Sequence, residues 1–143
     1  MKRVVSIFVL LAVLLVAAMS LTACGDSVTR EETKAASEAL FAALSTKDYQ
    51  AASALFHPEA DMTPDRVAAF CEQLHSQTGL DFSKGATIER YTGMSASLFD
   101  SNVGGSRYEL TMKVKVGETT ATFRVEVVRN DDGFGIYNLH YDS

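Results

Sequence analysis

The chain has 143 residues, 18 acidic against 13 basic side chains, and a formal charge of −5. That length fits one domain, and the acidic balance without basic runs argues against nucleic acid and against electrostatic docking on anionic lipid. Two cysteines and three histidines leave little material for a metal centre.

The first segment has the pattern of a leader. Lys2 and Arg3 are the only charges before Asp26, and residues 4–21 are apolar apart from Ser6 and Ser20. A basic start, an apolar stretch and small residues at its end are the parts of an export signal. An apolar run of about 18 residues also approaches the length of a membrane span, but no stop-transfer charge cluster follows it. The end, Leu21-Thr22-Ala23-Cys24, resembles the lipobox of bacterial lipoproteins. The resemblance implies a diacylglyceryl group on the Cys24 thiol, cleavage between Ala23 and Cys24, and a protein held on the extracytoplasmic side of the cell envelope. Gly25 follows Cys24, so the Asp that commonly signals inner-membrane retention is missing there. The expected layout is a signal peptide over 1–23, a lipidated tether over 24–29 and a single domain over 30–143. The 120 residues from Cys24 onward carry 11 basic and 18 acidic side chains, a formal −7. Lipidation leaves Cys71 as the remaining thiol, expected as a small buried apolar residue.

Beyond the tether, Thr29-x-x-Glu32 has capping-box spacing and opens a helix. Ala35, Ala36, Ala39, Leu40, Ala43 and Leu44 fall on one face, with Lys34 and Glu38 on the solvent side. Asp48 caps a second, short helix, which His57-Pro58 ends because the residue before proline disfavours helical geometry. Thr63-Pro64 starts a third helix, whose stripe is Val67, Phe70, Cys71 and Leu74, and Gly79 stops it.

From Ala86 the period changes from helical to alternating. A first strand over 86–99 bends at Gly93, and a turn-rich stretch follows over 100–106. Val116-Gly117-Glu118-Thr119 reads as a two-residue hairpin turn. It pairs Val114 with Ala121, Met112 with Phe123, Leu110 with Val125 and Tyr108 with Val127, making one face almost wholly apolar. Asp131-Asp132-Gly133 reads as a three-residue loop that opposes Val127 to Tyr137, Val125 to Leu139 and Phe123 to Tyr141. The fold class expected is α+β, with N-terminal helices packed on a curved antiparallel sheet of about four strands.

This order of elements resembles nuclear-transport-factor-2-like domains of the cystatin-like superfamily. Residues 40–56 are similar to their opening helical hairpin, with Asp48-Tyr49 at the step between helices and Phe56-His57-Pro58 after it. The resemblance covers residues 31–141 and implies a cone whose concave face lies between helices and sheet. Phe41, Tyr49, Phe70, Tyr108, Met112, Phe123 and Tyr137 are the expected lining of its pocket or core. Enzymes of the ketosteroid-isomerase and polyketide-cyclase branch place an Asp or His there. Asp61 and His57 lie in the corresponding segment, and Tyr108 or Tyr137 could donate to an oxyanion. The inward strand positions, however, contain no carboxylate.

His57, His75 and His140 form no metal-binding spacing, and no catalytic motif surrounds any serine. No cofactor or metal is expected. The sequence therefore points to a lipid-anchored, non-catalytic binding or interaction module, with a pocket enzyme as the alternative. The expected partners are the membrane through Cys24, a small apolar ligand or an envelope protein, and a second copy through the sheet.

Overall fold

The computed structural model describes residues 27–143. The expected leader and cleavage point, with Cys24, lie outside those residues. Helix α1 (Arg30–Ser45) begins where the sequence places its cap: the Thr29 hydroxyl accepts from the Glu32 N–H, and the Glu32 carboxylate accepts from the Thr29 N–H. Ala36, Leu40, Phe41, Ala43 and Leu44 are its buried apolar side chains. Helix α2 (Tyr49–Ala54) is capped by Asp48, and a 3₁₀ turn at Pro58–Ala60 follows it. Helix α3 (Pro64–Thr78) starts at the Thr63 cap and stops at Gly79, whose φ of 76° a side chain would resist. A second 3₁₀ turn, Phe82–Lys84, delivers the Phe82 ring to the core.

Strands β1 (Ala86–Asp100), β2 (Gly105–Val116), β3 (Thr119–Asn130) and β4 (Gly133–Asp142) form one antiparallel sheet in that order. The β2–β3 register is the expected one throughout, from Val116 opposite Thr119 to Tyr108 opposite Val127. Its inward residues Leu110, Met112, Val114, Phe123, Val125 and Val127 are buried, and α1 lies over them. The outward face is polar and cross-linked, with Arg107 beside Glu126 and Arg124 beside Asp142. The molecule is therefore α+β, with helices covering one face of a curved meander.

Curvature comes from extra residues on the outer strands. β1 gains one residue between Ile88 and Arg90, one between Tyr91 and Gly93, and one between Ser97 and Asp100. Each bulge bends the strand and delays the next inward side chain by one position. As a result Ile88, Tyr91 and Met94 face Val114, Met112 and Leu110 at a spacing of three rather than two.

The β3–β4 hairpin departs from expectation. Asp131 and Asp132 form a two-residue turn, with Asn130 paired to Gly133. A bulge at Tyr137 then restores the expected register, so Val125 faces Leu139 and Phe123 faces Tyr141. Between turn and bulge every pair is shifted by one, and Val127 faces Ile136 instead of Tyr137. The physical reason is a second partner for β4. Ile136 N–H donates to the Leu55 carbonyl and His57 N–H donates to the Ile136 carbonyl, each at 2.8 Å. That exchange needs Ile136 inward and Gly135 beneath the chain, where a Cβ would lie 2.6 Å from the His57 nitrogen.

Glu38 is exposed and Lys34 only partly covered, as the solvent-side reading expects, and both reach across to β1. The Lys34 ammonium lies 5.5 Å from the Tyr91 ring centroid, and the Tyr91 hydroxyl donates to Glu38 at 3.3 Å. Burial and the neighbouring Glu38 charge push the Tyr91 hydroxyl up to about 12.

Candidate functional site

The concave face of the sheet is filled. The Phe41 ring of α1 meets Phe123 of β3 edge-on at 5.3 Å, and Phe82 approaches Phe41 at 6.1 Å and Phe123 at 5.9 Å. Tyr141 closes the group 5.6 Å from Phe123. Phe41, Met112 and Phe123 are thus core residues with almost no exposure. Tyr49, Phe70 and Tyr108 are half-buried against that core, the Tyr108 hydroxyl reaching the Met94 sulfur at 3.1 Å. Tyr137 is not among them: its bulge turns the ring toward His57, 5.8 Å away. The expected lining residues therefore divide among core, surface and sheet edge.

Among the described residues the buried polar side chains are Thr33, Ser37, His57 and Ser106, none of them acidic. The Thr33 and Ser37 hydroxyls donate to carbonyls one turn back on α1. Asp61 is exposed and pairs with Arg66 at 2.7 Å. His140 lies on the outer face beside Asp142, and His75 is exposed in the last turn of α3. His57 is the exception, almost fully buried at the edge of β4 and bonded to Asn130. No group of three metal-ligating side chains occurs among the described residues.

One open cleft, about 380 Å³, lies among the helices, and another, about 340 Å³, lies between α1 and β1. The polar lining of the cleft among the helices includes Tyr49, Cys71, Glu72, His75 and Asp81. Burial pushes the Cys71 thiol up to about 11, so it is a neutral, poor nucleophile at ordinary pH. Burial also raises the Tyr49 hydroxyl, assisted by Cys71, Asp81 and Glu72. The Ser83 hydroxyl and N–H hold the Asp81 carboxyl low. These shifts keep the thiol and phenol protonated and the carboxylate charged. The cleft can form hydrogen bonds with a ligand, but its thiol is not activated.

A second feature lies at the end of the sheet where the chain enters the domain. Val28 is buried, and its N–H donates to the Ser106 hydroxyl at 2.8 Å. Arg129 donates to the Ser27 carbonyl at 2.9 Å and to Glu32 at 2.8 Å, with its guanidinium 4.5 Å from the Phe134 ring centroid. Ser27 and Val28, expected in the tether, are thus fastened to the sheet. Beside them the last part of β1 is bare: Met94, Leu98 and Phe99 are 70%, 83% and 74% exposed. They are the exposed large apolar side chains among the described residues. Sequence reasoning missed them because alternation in β1 reads as burial, whereas α1 covers only the earlier part of that strand.

Among the described residues no helix is long and apolar enough to cross a membrane. No family model matches the chain, and comparisons with curated proteins and with solved structures find no match either.

Proposed function

We propose that this chain is a bacterial lipoprotein, anchored through Cys24 on the extracytoplasmic side, whose domain is a non-catalytic binding or interaction module. The observation that carries the reading is the order of parts in the sequence. Lys2 and Arg3, the apolar run and Leu21-Thr22-Ala23-Cys24 stand three residues before the fastened Ser27. A lipobox needs a Cys at the end of the apolar run, and two or more acyl chains there would anchor the protein stably. The helices-then-meander order supports kinship with nuclear-transport-factor-2-like domains. The isomerase and cyclase branch of that superfamily would need an Asp or His on the face that Phe41, Phe82 and Phe123 occupy, whereas Asp61 is exposed and His57 is bonded to Asn130 at the sheet edge, so surface binding is favoured over pocket chemistry.

Fractionation of host cells producing the full chain and its Cys24→Ser variant tests the anchor. The wild type is expected in the detergent-soluble envelope fraction, shortened by its leader, with Cys24→Ser accumulating as unshortened precursor. Normal processing of the variant would overturn the reading.

A further inference from the structure

We propose that Met94, Leu98 and Phe99 form a bilayer contact, seating the domain on the membrane in which Cys24 is anchored. The inference rests on the lipoprotein reading and adds to it an orientation and a contact surface. Among the described residues the exposed large apolar side chains all fall within six residues of one edge strand, at one corner of the sheet. Isolated exposed side chains are unremarkable, but three large apolar ones gathered along one short stretch of strand mark a contact surface.

The position of this corner selects its occupant. Ser97 pairs with Arg107 and Asp100 with Gly105, so Leu98 and Phe99 stand across from Ser106. Ser106 is the residue to which Val28 is bonded. Neighbouring strands lie about 5 Å apart, which puts the apolar corner beside the point where the chain enters the fold. Arg30, at the start of α1, lines a shallow depression together with Gly93, Met94 and Leu110, linking the same two places. Cys24 is three residues from Ser27, a reach of at most about 11 Å even when fully extended. A lipid on Cys24 therefore keeps this end of the domain within reach of the headgroups.

The local charges fit an apolar contact. Glu32 is paired with Arg129 and Asp100 with Arg107, at 2.8 and 2.9 Å. The exposed Asp131 and Asp132 lie at the β3–β4 turn, at this same end of the sheet, where Asn130 meets the Val103 carbonyl, so the apolar seat is limited to the β1 edge. The domain's negative charge fits a zwitterionic rather than an anionic surface.

The chain contains no tryptophan, so Phe99→Trp supplies a single reporter at an exposed site where folding is undisturbed. Glu118→Trp is the control, roughly 35 Å away along β2. Each full chain is processed in a bacterial host, checked by mass for lipid on Cys24, and reconstituted into phosphatidylcholine vesicles with bromine-substituted acyl chains. The proposal predicts blue-shifted emission and bromine quenching at position 99, with neither at position 118. With lipid confirmed on Cys24, a water-like, unquenched reporter at position 99 would overturn the bilayer contact and leave the lipoprotein reading standing. A blue shift without quenching that grows with protein density would assign the corner to a second copy, which also overturns it. Equal quenching at both positions would mean that no particular end is seated. Absence of lipid on Cys24 would remove the premise and the proposal together.

Discussion

His57 Nε2 lies 2.9 Å from Asn130 Oδ1, joining the turn after α2 to the end of β3 across 73 residues of sequence. The Asn130 amide nitrogen donates to Glu59 at 2.8 Å and to the Val103 carbonyl at 2.7 Å, so its oxygen must accept. His57 Nδ1 accepts from the Glu59 N–H, which assigns the ring proton to Nε2 from the network. One asparagine thus ties together the α2 exit, the β1–β2 loop and the β3–β4 turn. Asn130→Ala would leave the buried imidazole without its acceptor and should lower unfolding stability by about 2–4 kcal/mol in urea titrations. A loss below about 0.5 kcal/mol, the level of an ordinary surface change, would contradict this assignment.

The filled concave face gives a second expectation. Phe123→Ala opens a void between Phe41, Phe82 and Tyr141 and should cost about 3–5 kcal/mol, a large share of a small domain's stability. Phe99→Ala, of similar chemistry but exposed, should stay within about 0.5 kcal/mol. Near-equal urea midpoints for the two variants would mean that the face is loosely occupied.

Close packing beneath β4 is tested at Gly135. A Cβ there would stand 2.6 Å from the His57 nitrogen and 2.9 Å from the Leu55 carbonyl oxygen. Backbone on both sides leaves little room to yield, so Gly135→Ala should destabilise by about 1–3 kcal/mol or more. Amide exchange at Ile136 and His57 should accelerate with it, since those N–H groups make the bridge. Unchanged exchange would contradict the role given to this glycine.

Acid sensitivity should centre partly on Glu32. Burial pushes its carboxyl up, but the Arg129 hydrogen bond and charge, with the Thr29 N–H and hydroxyl, outweigh that and hold it below the ordinary glutamate value. The stabilisation is therefore complete above the ordinary range and is lost as pH falls through the lowered folded value. Glu32→Gln should cost about 1–3 kcal/mol at neutral pH, because Arg129 stays largely buried, and should flatten the acid limb of the stability profile. An acid limb as steep as in the wild type would show that other carboxylates carry it.

Cys71 offers a chemical check. A thiol pushed up to about 11 should alkylate at least tenfold more slowly at neutral pH in the folded protein than in urea. The proposed lipidation adds a count: denatured mature protein should titrate one thiol, and the precursor two.

The turns that carry their own chemistry were legible in sequence. Gly117 and strict alternation fixed every pair from Val116–Thr119 to Tyr108–Val127, and Thr29, Asp48, Thr63 and Gly79 marked helix ends by local hydrogen bonding. The β3–β4 slip was not legible, because it depends on Leu55 and His57 pairing with Ile136 from about 80 residues away. The Asn130 network and the Val28–Ser106 bond are likewise long-range, and no local pattern announces them. The expected pocket lining mixed core and surface positions for a related reason. Periodicity tells which residues face inward, whereas the packing of Phe41, Phe82 and Phe123 decides whether any space remains.

The proposed lipid anchor is tested most directly by the mass of the N-terminal peptide of the protein isolated from bacterial membranes. The account predicts a peptide that begins at Cys24 and carries a diacylglyceryl group on the sulfur. A peptide that retains residues 1–23, or one that begins at an unmodified residue, would contradict it.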